Sequence, residues 1–369
     1  MSKLKELIQQ YCPNGVEHKE LQEILKIKNG SDYKAYGEGD IPVYGSGGIM
    51  TYIDRYVYNK PSVLIPRKGS IDKLYYVDTP FWNVDTIFYT EINTDLAMPR
   101  YVYHCLLREH LEQYNTAGGV PTLTQKVLNK VQIPLPPLPV QREIVRILDK
   151  FTELTAELTA ELTARKKQYE FYRNKLLTFD DVRGGATSDV AWKSLAEIAD
   201  ISTGSSNTDD AVEGGCYPFF VRSQQPLAKD EYEYDEEAII TAGDGVGVGK
   251  VFHYINGKYA LHQRAYRIHP ATDGLLGKYL YHYFVATFPK YIGQQMYQGS
   301  VPSIRRPMLN KFQVAIPSLD VQSRIVNVLD NFDAICSDLK IGLPAEIEAR
   351  KKQYEFYREK LLAFHEISN

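Results

Sequence analysis

One ten-residue segment occurs twice, letter for letter. ARKKQYEFYR runs from Ala164 to Arg173 and returns from Ala349 to Arg358. Both copies continue alike, into Leu176-Leu177-Thr178-Phe179 and Leu361-Leu362-Ala363-Phe364. Such identity does not arise by chance, so the chain is internally duplicated, and any fold proposed for it must contain the same element twice. The relation extends upstream: Val131–Phe151 answers Phe312–Phe332, Gly118–Val131 answers Gly299–Phe312, and Lys19–Ile24 answers Lys193–Ile198. The chain therefore reads as two half-molecules in tandem, each a globular part followed by a long helix. The helices match well and the globular interiors poorly. That asymmetry points to one task performed the same way twice and another performed on two different targets.

The helices follow from hydrophobic spacing. Ile133–Pro139 (IPLPPLP) is expected to be a stiff extended connector, because proline fixes φ and blocks helix. From Gln141, one heptad position runs through Ile144, Phe151, Leu158, Arg165, Tyr172 and Phe179, and the other through Leu148, Thr155, Leu162, Tyr169 and Leu176. A helix of that extent spans about 58 Å at 1.5 Å per residue. Inside it, Thr155–Leu162 is the tandem tetrapeptide TAELTAEL. Each tetrapeptide adds about 6 Å, slightly more than one turn, and so alters length without disturbing either end. The second helix is expected from near Val321, with a seam through Ile325, Leu329, Phe332, Cys336, Leu339 and Leu343. Gly342 and Pro344 predict a break there, with Pro344 near the start of a renewed helix. Two apolar seams need partners. An antiparallel pairing within the chain is economical, and a seam between two molecules competes with it.

The globular parts read as mixed α/β in small pieces. Ile41–Tyr44 enters the glycine-rich turn Gly45–Gly48, Ser62–Pro66 is a short apolar strand ending in Arg67–Ser70, and Trp82–Thr90 reads as another strand. Met98–Tyr114 has helical spacing, Val212–Arg222 and Glu237–Ala242 contain strand-like runs, and Tyr279–Phe288 is helical. The expected fold class is α+β: two mixed α/β domains separated by an antiparallel pair of long coiled-coil helices, with pseudo-twofold repetition. The expected divisions are 1–140, 141–179, 180–320 and 321–369, with Asp180–Asp189 a polar linker.

Composition sets further bounds. A length of 369 residues allows two domains, and 44% hydrophobic content is enough for ordinary cores. No apolar run reaches membrane-spanning length, and the amphipathic N-terminus lacks a signal core, so no membrane partner is expected. Four scattered cysteines (Cys12, Cys105, Cys216, Cys336) suit a reducing cytoplasm. The net charge of −3 does not favour nucleic acid, yet local basic clusters at Arg67-Lys68, Arg165-Lys166-Lys167, Arg305-Arg306 and Arg350-Lys351-Lys352 decide phosphate binding, not the total. Catalytic signatures fail one by one. Gly243–Lys250 (GDGVGVGK) is no P-loop, since Asp244 stands where the first glycine belongs and Val251 replaces the Ser/Thr, and it breaks the dinucleotide fingerprint at every register. A glycine-rich hairpin or DNA-facing loop is the better reading. There is no paired Cys/His arrangement for a metal, no Asn/Asp-Pro-Pro-aromatic signature and no convincing nuclease carboxylate pattern.

Duplicated half-molecules, matching heptad helices, the paired segments PLPPLPVQREIVRILDKF and IPSLDVQSRIVNVLDNF, and TAELTAEL together resemble one family over essentially the whole chain: the specificity subunits of Type I restriction–modification systems. Ile41–Gly48, Arg67–Ser70 and Gly119–Gln125 add support. The chain departs from the pattern at Arg305-Arg306-Pro307, which replaces Thr-Gln-Lys, and at Gly342-Leu343-Pro344. The resemblance implies that each globular part is a target recognition domain reading half of a bipartite, asymmetric site on double-stranded DNA. It implies that the helices hold the domains apart and dock two methyltransferase subunits, which bring S-adenosylmethionine and methylate adenine. Two motor–nuclease subunits using ATP and Mg would join for restriction, and this chain would supply no catalytic group and bind no cofactor of its own. Candidate DNA contacts are Ser46, Gly47, Arg67, Lys68, Ser70, Thr122, Thr124 and Gln125 in the first half, and Arg222, Lys250, Ser303, Arg305 and Arg306 in the second. Arg165, Lys166, Lys167, Arg350, Lys351 and Lys352 are candidates for partner docking. Two other classes stand beside this one: a coiled-coil assembly scaffold that binds no DNA, and a DNA-processing enzyme with a disguised site.

Overall fold

A computed structural model describes residues 2–115, 118–179, 190–295 and 302–367. The expected linker Asp180–Asp189, and the start of the repeated Gly299–Phe312 segment as far as residue 301, lie outside the described residues. The chain divides into two compact units, Met1–Thr159 with Glu346–Asn369, and Ala160–Ala345.

The first unit opens with α1 (Ser2–Tyr11), β1 (His18–Glu20), α2 (Leu21–Ile24) and β2 (Leu25–Lys28). A capping box starts α2: the Glu20 backbone N–H donates to Glu23 Oε2 at 3.1 Å while the Glu20 side chain accepts from the Glu23 backbone. Then come β3 (Ile41–Gly45), β4 (Gly48–Ile53), β5 (Ser62–Pro66), β6 (Tyr75–Val77), β7 (Trp82–Asn83) and β8 (Ile87–Ile92). After these follow α3 (Pro99–Arg108), α4 (Gln125–Leu128), β9 (Gln132–Pro134) and the forty-residue α5 (Leu138–Leu177). Strands β2-β8-β5-β6 form an antiparallel sheet, β4-β3-β7 a second, and β1 pairs with β9. All five residues of β5 are buried, as its unbroken apolar run requires. The core joins Val63 and Ile65 of the sheet, Tyr101 and Leu106 of α3, Ile144 and Leu148 of α5, and Leu361 and Leu362 of the C-terminal helix.

The second unit contains β10 (Ala191–Ser194), α6 (Leu195–Ile198), β11 (Ala199–Thr203), β12 (Tyr217–Phe220), β13 (Leu227–Lys229), β14 (Tyr234–Ala242), β15 (Phe252–Leu261) and β16 (Ala265–Pro270). Next are α7 (Gly277–Gly293), α8 (Arg306–Asn310), β17 (Gln313–Ile316) and α9 (Leu319–Ser337), and α10 (Leu343–Leu362) closes the chain. Its six-stranded sheet runs β11-β16-β14-β15-β12-β13, and β10 pairs with β17. The order β11-β16-β14-β15 repeats β2-β8-β5-β6, β10–β17 repeats β1–β9, and α6 carries the same capping box as α2, through Ser194 and Glu197. Strand β12 lies parallel to β15 as β3 lies parallel to β7. The duplication thus runs through the globular interiors, where the sequences part company.

Each unit fastens its sheet-bearing part to α5 or α9 with the same polar set. Gln141 Nε2 donates to Pro136 O and Leu96 O at 2.7 and 2.9 Å while its Oε1 accepts from Met98 N at 2.8 Å. Gln322 does the same with Pro317 O, Gly274 O and Leu276 N at 2.8, 2.9 and 2.9 Å. His104 of α3 lies 2.9 Å from Asp149 of α5, and His282 of α7 lies 2.9 Å from Asp330 of α9. Burial lowers both imidazole pKa values, although hydrogen bonding to the aspartates opposes this. Neutral His104 therefore donates from Nε2 to Asp149, and its bare Nδ1 accepts from the Tyr354 hydroxyl at 2.9 Å. His282 Nδ1 has no such partner. Tyr101 and Tyr279 donate to Pro134 O and Ala315 O at 3.0 and 2.7 Å, one on each side of the duplication.

Parts of the heptad seams pack inside each unit, but Leu339 of the expected second seam lies beyond the end of α9 and is 80% exposed, because the helix stops at Ser337. Phe151 stacks on Tyr357 of α10 at 5.1 Å in the first. In the second, Tyr169 and Tyr172 close on Phe332 of α9 at 6.2 and 5.8 Å, and farther back along α5 the charges of Lys166 and Arg165 bear on Cys336. Rising numbers on α9 meet falling numbers on α5, so that pair is antiparallel. The break expected at Gly342 is present. A Cβ there would meet the carbonyl oxygens of Ala334 and Asp338 at 2.6 and 2.7 Å, and Pro344 is the second residue of α10.

Several boundaries shift from those read off the sequence. Helix α5 begins at Leu138, not Gln141, so Pro139 sits in its first turn, where a missing N–H costs nothing. Ile133 and Pro134 of the expected connector belong to β9. Trp82–Thr90 is two strands, split where the chain turns at Asp85 and Thr86. The Met98–Tyr114 helix ends at Arg108, because His110 adopts φ 46° before a short 3-10 turn, Leu111–Tyr114. Val212–Arg222 contributes only Tyr217–Phe220 as strand, leaving Arg222 in the loop beyond it. Helix α9 starts at Leu319, two residues before Val321.

Candidate nucleic-acid interface

In the first unit, the hairpin loop after β5 opens with Arg67-Lys68-Gly69-Ser70. The Arg67 and Lys68 amides both donate to Thr86 O, at 2.8 and 3.3 Å, and Arg67 O accepts from Leu123 N at 2.9 Å. Gly69 N donates to Pro121 O at 3.0 Å, and Lys68 forms an antiparallel bridge with Thr122. Gly69 has φ +82°, a backbone region that favours glycine. A Cβ on it would lie 3.7 Å from Ser46 Oγ, and Ser46 N lies 3.4 Å from Thr86 Oγ1. The Tyr75 hydroxyl secures the β3–β4 turn through Ser46 O at 3.1 Å. Ser46, Arg67, Lys68, Ser70 and Thr122 thus share one patch, with Gly47 open beside it. The Arg67 guanidinium lies over Phe88 at 5.6 Å, and Lys68 is exposed. Thr124 and Gln125 have local duties: the Thr124 hydroxyl caps α4 by accepting from Val127 N at 3.4 Å, and Gln125 Nε2 reaches Ile27 O at 3.2 Å.

The second unit builds the same patch from different letters. Gly243 N donates to Arg264 O at 2.8 Å, Ile304 N donates to Gly243 O at 2.7 Å, Gly245 N donates to Pro302 O at 2.9 Å, and Asp244 bridges Ser303. These are the bonds of the first unit with Gly243-Asp244-Gly245 in place of Arg67-Lys68-Gly69, Arg264 in place of Thr86, and Ser303 in place of Thr122. Gly245 keeps the positive φ, at +79°. The bond from Val84 N to Tyr44 O, 2.9 Å, recurs from His262 N to Phe220 O at the same length, which sets Arg222 where Ser46 stands. The glycine-rich run is indeed a hairpin loop, joining β14 to β15. Two guanidiniums converge on its acid: Arg222 Nη1 lies 2.8 Å from Asp244 Oδ1, and Arg264 Nη1 lies 3.3 Å from Asp244 Oδ2. His262 beneath them is held to the neutral form by burial first and then by the charges of Arg222 and Arg264, and its Nδ1 accepts from Arg264 N at 2.9 Å. Lys250 is exposed at the far end of the loop, and Arg305 and Arg306 are exposed at the start of α8.

Arg264 escaped the sequence reading, as did the match between the two loops. The usable signal was an apolar strand running into a polar residue before glycine in both halves, Lys68-Gly69 and Asp244-Gly245. On the helices, the docking candidates form matching ladders. Arg165 spans Gln168 and Glu161 at 3.1 and 3.4 Å, and Arg350 spans Gln353 and Glu346 at 3.1 and 3.2 Å. Lys166, Lys167, Lys351 and Lys352 are exposed, and Lys352 lies 3.8 Å from Glu348. The sequence reading also missed Phe171 and Phe356, each 60% exposed on those faces. Among the described residues no helix is long and apolar enough to cross a membrane.

A sheet-based unit is thus built twice and tied each time to a long helix, and comparison with known proteins places this design in a family. The model of the Type I restriction modification DNA specificity domain matches residues 13–165 and 187–349, and the chain belongs to that family. A Haemophilus influenzae protein described as a type I restriction enzyme specificity subunit is 30% identical over 95% of this chain and 96% of its own. The EcoR124I/EcoR124II specificity subunit of Escherichia coli is 33% identical over 74% of this chain and 73% of its own. The solved S subunit of M. genitalium superposes with a TM-score of 0.65 at 16% identity, covering 94% of this chain and 96% of that one, which establishes the shared fold.

Proposed function

We propose that each unit reads one half of a bipartite, asymmetric site on double-stranded DNA, and that this chain contributes recognition and no catalytic group. The carrying observation is the pair of patches: one backbone hydrogen-bond scaffold holds Ser46, Lys68, Thr86 and Thr122 in one unit and Arg222, Asp244, Arg264 and Ser303 in the other. A shared scaffold with unlike side chains suits two readers of unlike sequences, since backbone positions the loop and side chains meet base edges. The likeness to the E. coli specificity subunit supports the same reading.

The helices dock two methyltransferase subunits and set the spacing between the half-sites. Support comes from the repeated face of Lys166, Lys167 and Phe171 against Lys351, Lys352 and Phe356, which offers one kind of partner the same surface twice. Those partners use S-adenosylmethionine to methylate adenine, and two motor–nuclease subunits with ATP and Mg complete the restriction complex. The test is methylation mapping of cells carrying this chain with its methyltransferase, followed by a gel shift of the assembled complex on the mapped duplex. The expected result is a two-part motif with an unread gap and a shift lost on scrambling either part. A complex that binds scrambled and mapped duplexes equally would refute the reading.

A further inference from the structure

The Arg222–Asp244–Arg264 trio has no stabilising task that the fold requires. The first unit closes the same loop with the same backbone bonds, using Ser46, Lys68 and Thr86 and no ion pair among them. Exposed ion pairs contribute little to stability, and fixing two long side chains has an entropic cost. The side chains of Arg222 and Arg264 remain 40% and 60% exposed while anchored to a carboxylate that is itself 26% exposed. A guanidinium restrained at one edge and open at the other is pre-organised for a planar, two-acceptor partner. Arg264 engages Asp244 through Nη1 alone, which leaves its Nη2 hydrogens and the second Nη1 hydrogen for such a partner. Two arginines against one aspartate also leave the trio with a positive balance on the face that carries Ser303.

Resting on the DNA-reading role above, we propose that Arg264 is a specificity-determining residue that donates to O6 and N7 of a guanine in the major groove, and that Asp244 is its positioning residue, with Arg222 completing the clamp. The second unit therefore demands guanine at one position of its half-site, and the first unit, with Lys68 among hydroxyls, does not reproduce that demand in the same form.

The test uses the chain assembled with its methyltransferase and a duplex carrying the mapped motif. Replacing guanines one at a time by 7-deazaguanine removes N7 and keeps base pairing. One position in a single half-site is expected to weaken binding of the unaltered complex, and Arg264→Ala, which keeps no donor, is expected to lose sensitivity at that position. Discrimination between guanine and other bases there should fall about 10- to 100-fold in Arg264→Ala, with the other half-site unchanged. Asp244→Asn should relax the same position while affinity for a scrambled duplex does not fall, a pairing that a merely unfolded loop would not produce. The analogue arm needs no variant, so it decides even where a variant folds poorly. A specific complex indifferent to 7-deazaguanine at every guanine of both half-sites would overturn the Arg264 assignment and leave the DNA-reading role standing. An unaltered complex with no sequence preference would overturn both.

Discussion

Gln141 and Gln322 are single residues on which a whole junction depends. Each is fully buried, and each bonds two carbonyls and one amide of the same junction. Removing such a side chain leaves several buried polar groups unpaired, and that costs more than the bonds were worth. Gln141→Ala is expected to destabilise the first unit by about 2–4 kcal/mol, read as a lowered denaturation midpoint, and Gln141→Glu should recover little because a carboxylate cannot donate to the two carbonyls. This junction was open to view in the sequence, since Val140-Gln141 and Val321-Gln322 fall in the aligned repeats. So were Tyr101-Val102-Tyr103-His104 and Tyr279-Leu280-Tyr281-His282, whose correspondence survives because both ends of each buried contact must be kept. The correspondence of Lys68 with Asp244 left only a thin trace, a polar residue before glycine at the end of an apolar strand. Backbone amides make that contact, and they place almost no demand on the side chain.

Among elements, the contact of α3 with α5, and of α7 with α9, is set by a buried neutral histidine against an aspartate. The folded pKa of His104 and His282 lies below the ordinary value, so the unfolded chain takes up a proton that the folded chain refuses. Stability should be flat with respect to these groups above about pH 6.5 and fall as pH drops below it. His104→Gln with His282→Gln should flatten that limb in denaturant titrations at pH 7.5 and 5.5. Burial pushes Asp149 upward, but the hydrogen bonds from His104 and Arg100 outweigh it and hold the carboxyl below its usual range. Its contribution is therefore present above about pH 3.9 and lost only at more acid pH, a separate window. The helix faces give another prediction at this scale. Phe171 and Phe356 are large apolar groups left in water on repeated surfaces, each with a lysine, Lys175 or Lys360, over the ring at 6.0 and 5.7 Å. Phe171→Ala with Phe356→Ala should weaken methyltransferase capture by about tenfold or more with the fold intact, since buried aromatic anchors carry interface energy. Calorimetric titration with the purified partner measures this. The heptads that define these faces were legible because a seam repeats every seven residues. The ends of the helices were less so: Pro139 reads as a breaker yet is harmless in a first turn.

For the whole chain, the tandem TAEL within α5 can change without altering either loop patch, because Thr155–Leu162 contributes to neither. One further TAEL adds about 6 Å of helix. Methylation mapping should then show the same two half-sites with a longer unread gap, and a changed half-site would contradict the assignment of spacing to this helix. Duplication was evident from ARKKQYEFYR alone, but its depth was not: the strand orders β2-β8-β5-β6 and β11-β16-β14-β15 coincide where hardly a residue does. A sheet asks for alternation and burial, which many sequences meet; a heptad seam with a verbatim flank asks for particular letters. The backbone bonding that frames each patch has a practical corollary. It acts as a socket into which unlike side chains have been fitted, Lys68 in one copy and Asp244 between two arginines in the other. On the proposed reading, retargeting such a protein would be a matter of changing inserts at a handful of seats, with the surrounding sheet left as it is.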